Sequence, residues 1–91
     1  MPPDLDVRRR RAGYRAAHRG TKEMDWLLGR FAAARLDGMS EAELTHFEQL
    51  LEEADPTLQQ WIMVETAVPD DRHAELIQTL RAFHRLAPAA G

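Results

Sequence analysis

A chain of 91 residues has room for one small domain with a thin core, since a chain of this size buries only about 60–65% of its unfolded surface. Cysteine is absent, which excludes disulfides, zinc–thiolate sites, iron–sulfur clusters and thiol nucleophiles. The net charge of −3 conceals a split: residues 1–22 hold seven basic groups (Arg8, Arg9, Arg10, Arg11, Arg15, Arg19, Lys22) against Asp4 and Asp6, or +5, and the remainder comes to −8. Either the basic end meets an acidic partner, or it is a solvated helix face that pairs with the chain's own acidic half. No apolar run approaches the roughly 18 residues of a membrane span. The start, Met-Pro-Pro-Asp-Leu-Asp-Val and then four Arg, lacks the apolar stretch of a secretory signal. Asp4 and Asp6 argue against a transit peptide, so the chain is expected to be cytoplasmic.

A first, weak helix is expected over residues 5–18, with Leu5, Val7, Ala12, Tyr14 and Ala17 as its apolar positions. Gly13 inside it costs on the order of 1 kcal/mol against Ala, and four consecutive Arg repel one another, so this helix should depend on docking. A stronger helix spans 21–36, where Met24, Leu27, Leu28, Phe31 and Leu36 recur near a 3.6-residue period. Asp37-Gly38 ends it, with Gly38 suited to a left-handed C-terminal position. Ser40-Glu41-Ala42-Glu43 fits a capping box that opens a third helix with Leu44, Phe47, Leu50, Leu51 and Ala54 as its stripe. Asp55-Pro56 reads as a cap followed by proline at the first helical position. It opens a short helix to about Glu65 that buries Leu58, Trp61 and Ile62. Val68-Pro69 breaks the chain. Asp70 or Asp71 then caps a fifth helix to about Leu86, with Leu76, Ile77, Leu80 and Phe83 inward. The class is all-α, a single small five-helix bundle over residues 1–91, ordered from about 5 to 86, with Met1–Asp4 and Ala87–Gly91 expected to fray. Leu28, Phe31, Phe47, Leu51, Trp61 and Leu80 are expected in its core.

No reaction centre is visible. His18 and His46 lie on the first and third helices and His73 and His84 on the fifth, without metal-ligand spacing, and all are expected to be surface or half-buried. Ser40 is accounted for by capping, and neither a Gly-x-Ser-x-Gly elbow nor a phosphate-cradling Gly loop occurs. The adjacent acids Glu52-Glu53 and Asp70-Asp71 point apart. The chain is therefore not expected to be an enzyme. Arg8–Arg11 could grip phosphates, but Tyr14 is the only nearby aromatic and the rest of the chain is acidic. A small basic-helix nucleic-acid or protein interaction module is the alternative reading. Trp26 lies off the centre of its helix's apolar stripe, so it either packs against the first helix or stands exposed as a contact anchor.

The junction between the first two helices is the most specific feature: His18-Arg19-Gly20-Thr21-Lys22-Glu23-Met24-Asp25. Gly20 can take positive φ where the first helix ends. Glu23 can turn back to a free N–H and, with Asp25, favours the second helix's dipole. Arg19 adds positive charge near that N-terminus, so a carboxylate of Glu23, Asp25 or a partner should face it.

This Arg-Gly-x-x-Glu run, Arg19-Gly20-Thr21-Lys22-Glu23, is followed by Leu27-Leu28-Gly29-Arg30-Phe31, Phe47-Glu48-Gln49-Leu50-Leu51-Glu52 and Asp55-Pro56-Thr57-Leu58-Gln59-Gln60-Trp61. Together these blocks resemble the succinate dehydrogenase assembly factor family, small flavinylation factors, from about Arg8 to Phe83. The resemblance implies a five-helix bundle that binds the flavoprotein subunit of succinate dehydrogenase, or of fumarate reductase, and promotes covalent attachment of FAD to a histidine of that client. It implies a partner-binding set of Arg15, His18, Arg19, Gly20, Lys22, Glu23 and Asp25, with FAD handled on the client and no tightly bound cofactor or metal. A monomer without nucleic-acid binding or membrane insertion is expected. The sequence departs from the family pattern at Ala12-Gly13, where larger aliphatics are common, at His18, where Arg is common, and at Thr21, where Met is common.

Overall fold

The computed structural model describes residues 4–64, 69 and 71–85. The described residues are all-α: α1 (Leu5–Ala17), α2 (Lys22–Arg35), a 3₁₀ turn (Leu36–Gly38), α3 (Glu41–Leu51), α4 (Asp55–Met63) and α5 (Ala74–Phe83). The chain falls into two compact units, Met1–Glu52 and Glu53–Gly91.

In the first unit, local chemistry starts each helix. The Asp4 carboxylate accepts from the Val7 N–H at 2.8 Å and caps α1. The capping box of α3 is complete: the Glu43 N–H donates to Ser40 Oγ at 3.1 Å, and the Ser40 N–H donates to Glu43 Oε1 at 3.0 Å. Met24, Leu27, Leu28 and Phe31 of α2 and Leu44, Phe47, Leu50 and Leu51 of α3 are buried. The Phe31 and Phe47 rings lie 5.8 Å apart. Each buried phenylalanine contributes about 1.5–3 kcal/mol relative to exposure.

Helix α1 is held differently, as its weak pattern suggests. Only Ala12 and Ala16 are fully buried. Its small side chains let α2 come close: a Cβ placed on Gly29 would sit 3.2 Å from Ala17 Cα. Charge supplies the rest. Arg8 donates to both carboxylate oxygens of Glu48, at 2.6 and 3.3 Å, and to Thr45 Oγ1 at 2.9 Å. Such a two-point guanidinium–carboxylate contact is among the stronger polar contacts available. Glu41 lies 3.5 Å from the same guanidinium. Arg9 donates to the Met39 carbonyl at 2.9 Å, and Arg15 pairs with Glu52 at 3.2 Å. Arg8, Arg9 and Arg15 are thus engaged within their own unit, Arg8 and Arg15 by carboxylates of α3 and its C-cap, as the self-pairing reading anticipates. Arg10 and Arg11 are exposed.

Three expectations in this unit differ from the structure: Asp4, expected to fray, is held as the cap of α1. Tyr14, placed in the apolar set of α1, is 67% exposed. Gly38 does not take a left-handed conformation; it closes the 3₁₀ turn in which the Met39 N–H donates to the Leu36 carbonyl at 3.1 Å. The chain tightens there by i→i+3 bonding instead of reversing at a positive φ.

The second unit packs α4 against α5, burying Leu58, Ile62, Ile77 and Leu80. Leu76 and Phe83 are half-buried. Ala54, not Asp55, is the N-cap of α4, and no side chain caps it. Asp55 and Pro56 fill the first turn, where a carboxylate suits the dipole and proline's missing N–H costs nothing. The helix ends at Met63; Glu65 and Val68 lie outside the described residues. So do Asp70 and Leu86. Asp71 belongs to a turn before α5, which begins at Ala74 with His73 as its cap. His73 is fully buried, contrary to the expected surface or half-buried position: its Nε2 lies 3.3 Å from Glu53 Oε1 and its ring 5.8 Å from that of Trp61. Trp61 is half-buried, not a full core residue. Arg81 is buried at 2% exposure and donates to the Ile62 carbonyl at 2.6 Å and to the Trp61 carbonyl at 3.2 Å. It thereby satisfies two of the carbonyls that the end of α4 leaves free.

Candidate docking site at the α1–α2 turn

The turn is built by one carboxylate, one glycine and one hydroxyl. Asp25 Oδ1 accepts from the backbone N–H of Arg19 and, at 3.3 Å, from that of Gly20. Gly20 has φ +113°, a conformation L side chains rarely adopt. The Thr21 hydroxyl accepts from the Met24 N–H at 3.2 Å and caps α2. Thr21, not Gly20, therefore stands at the N-cap. Glu23 takes the second helical position, within the first turn where its charge complements the dipole.

Arg19 lies across this N-terminus, and its guanidinium donates to the Leu51 carbonyl at 2.6 Å. A cation on the last carbonyls of α3 complements the negative end of that helix. Asp25 faces the backbone amide of Arg19, and both side chains are half-buried or engaged inside the unit. The outward set is distinct. Lys22 and Glu23 are exposed, Gly20 has no atom within 4 Å of where a Cβ would stand, and His18 and Arg15 are exposed on the last turn of α1. His18 Nδ1 lies 2.8 Å from the Tyr14 carbonyl. The structure thus brings all seven candidate residues to one turn and its flanks, with Arg19 and Asp25 turned inward. Trp26, one residue beyond, is 49% exposed, with the Arg30 guanidinium 5.7 Å from its ring centroid. Of the expected core set, Leu28, Phe31, Phe47, Leu51 and Leu80 are buried.

Two depressions adjoin this region. One, of about 680 Å³, follows the α1–α2 crossing and is rimmed by Asp4, Asp6 and Asp37 along with Arg9 and Arg10. The other, of about 200 Å³, is lined by Tyr14, Arg15, His18 and Arg19. The larger mixes three carboxylates with two guanidiniums, and the smaller, at 200 Å³, falls below the roughly 300–1,000 Å³ of ligand pockets.

The sequence matches the Sdh5 family, described as flavinator of succinate dehydrogenase, over residues 10–84. The chain belongs to this family. An Acetobacter pasteurianus protein named FAD assembly factor SdhE is 39% identical over 77 residues, covering 85% of this chain and 71% of its own length. A Dictyostelium discoideum protein named succinate dehydrogenase assembly factor 2, mitochondrial, is 28% identical over 78 residues, 86% of this chain and 55% of that one. The protein of the same name in Debaryomyces hansenii is 42% identical over 57 residues, 63% of this chain and 40% of that one. The chain spans 55% and 40% of these two mitochondrial relatives. Among the described residues, no helix is long and apolar enough to cross a membrane.

Within the Arg19–Glu23 turn, two partners escaped the sequence reading. Thr21 carries a readable signal, a hydroxyl residue three positions before a helical N–H. The Leu51 carbonyl carries none, because it lies 32 residues from Arg19 in sequence.

Proposed function

We propose that this chain assists assembly of succinate dehydrogenase by docking on its flavoprotein subunit and promoting covalent attachment of FAD there. The observation that carries the reading is the family match over residues 10–84, together with a turn whose inner residues fix its shape while its outer residues stay exposed. Asp25 and Arg19 act as positioning residues. Gly20 lets the client's surface come close to the backbone, since no side chain stands there. Lys22 and Glu23 make charge-assisted contacts with the client.

The chain works by binding and not by catalysis. The nucleophilic histidine and the FAD both belong to the client. By selecting a client conformation in which histidine and flavin are correctly placed, the factor raises the fraction of reactive encounters. The test is to incubate the purified apo flavoprotein subunit with FAD, with and without this protein, and to measure acid-precipitable flavin. Faster incorporation with wild type and not with Glu23→Ala is expected. Equal rates with and without the protein would refute the proposal.

A further inference from the structure

Among the described residues, Tyr14 is the most exposed of the large hydrophobic side chains, at 67%, yet its ring is held in place. It stacks on His18 with centroids 4.0 Å apart and planes 19° from parallel. His18 is fixed in turn by Nδ1, which carries the hydrogen toward the Tyr14 carbonyl because a carbonyl only accepts. Arg15 and Arg19 join the two rings around the shallow 200 Å³ depression. Arg11, Tyr14, Arg15 and His18 stand at the i, i+3, i+4, i+7 spacing that places residues on one helix face. All four are exposed.

We propose that this face of α1 is a second half of the docking surface and takes an acidic segment of the flavoprotein subunit. An apolar or planar side chain of that segment covers the Tyr14–His18 platform, while neighbouring carboxylates meet Arg11 and Arg15. The inference rests on the flavoprotein reading above. Charge selects the occupant: Arg11 and Arg15 stay exposed on this face after Arg8 and Arg9 have turned inward. Arg15 can exchange its acceptor at little cost, since its pair with Glu52 is open to water on both sides, at 43% and 71% side-chain exposure. Two rings already ordered lose little freedom on binding, which favours a stacked platform as an anchor.

The test is the affinity of the purified flavoprotein subunit for the wild-type chain and for Tyr14→Ala, Arg11→Glu and Glu23→Ala, each first checked by thermal melting. Tyr14→Ala should weaken binding about tenfold or more, as removal of an interface anchor does. Arg11→Glu should slow association about fivefold near 50 mM salt, with the difference vanishing near 500 mM. If Glu23→Ala weakens binding while Tyr14→Ala and Arg11→Glu bind as wild type, the α1 face is excluded and the turn reading stands. If the wild-type chain does not bind the flavoprotein subunit, both are overturned.

Discussion

Replacing Gly20 with Ala isolates the backbone cost of the turn. No atom lies within 4 Å of the added Cβ, so packing contributes nothing. The cost comes from φ +113°. The ordinary left-handed well near +57° already costs an L residue about 1–2 kcal/mol, and conformations beyond it cost of order 1–3 kcal/mol. Against this, Ala narrows the unfolded ensemble and returns about 0.4–1 kcal/mol. The net expectation is a loss of about 1–2 kcal/mol. At about 4–8 °C per kcal/mol for a domain of this size, the melting temperature should fall by about 4–15 °C. Gly38 is the internal control. A Cβ there also meets nothing within 4 Å, but its φ is not positive. Gly38→Ala should therefore gain about 0.4–1 kcal/mol. Urea titrations with a common slope, followed by far-UV circular dichroism, read both variants. A Gly20→Ala protein as stable as wild type, or two glycine variants that shift in the same direction, would refute the reasoning.

Asp25→Ala removes the acceptor shared by the Arg19 and Gly20 amides and should cost about 1.5–3 kcal/mol in urea unfolding, the range for hydrogen bonds to charged groups. Arg81→Leu leaves the Trp61 and Ile62 carbonyls without their buried donor and should cost a comparable 1.5–3 kcal/mol or so, measured the same way. The backbone N–H and hydroxyl of Ser40 hold the Glu43 carboxyl below the usual carboxylate range. Because the folded state lowers that pKa, its stabilisation is full above the unfolded carboxylate's value of about 4.3 and is lost as pH falls through the folded value. The urea midpoint of wild type should therefore exceed that of Glu43→Gln near neutrality, and the gap should close toward pH 3.

What the sequence revealed follows the range of the interaction concerned. Ser40 and Glu43 are three residues apart, and their capping box is readable because both partners are local. Gly20 is readable because few other residues tolerate its conformation. The stripes of α2 and α3 place Phe31, Phe47 and Leu51 correctly because a 3.6-residue period records which face is buried. Arg19 on the Leu51 carbonyl, Arg81 on Ile62 and His73 beside Glu53 join residues 32, 19 and 20 positions apart. A polar side chain that satisfies a distant group leaves no periodic trace, so nothing in the sequence marks Arg81 as buried, and His73, expected at the surface or half-buried, lies buried. Tyr14 shows the converse. An apolar ring at a plausible helical position is left outside, because α1 meets α2 through Ala16, Ala17 and Gly29, where a larger group would not fit. At α4 the cap falls one residue early, on Ala54, because Asp55 joins Pro56 in the first turn.

The candidate site was legible as a turn, but not in its division of labour. Arg-Gly-x-x-Glu marks the place. Only the fold separates Arg19 and Asp25, which hold the turn together, from Lys22 and Glu23, which it leaves exposed.

The central claim is that this exposed turn promotes flavin attachment to the succinate dehydrogenase flavoprotein. The direct measurement is in-gel flavin fluorescence of that subunit from cells lacking this gene, complemented with wild type, Gly38→Ala or Glu23→Ala at matched protein levels. The covalent flavin band should be lost on deletion and restored by wild type and Gly38→Ala but not by Glu23→Ala. A band unchanged by deletion, or fully restored by Glu23→Ala, would contradict the claim.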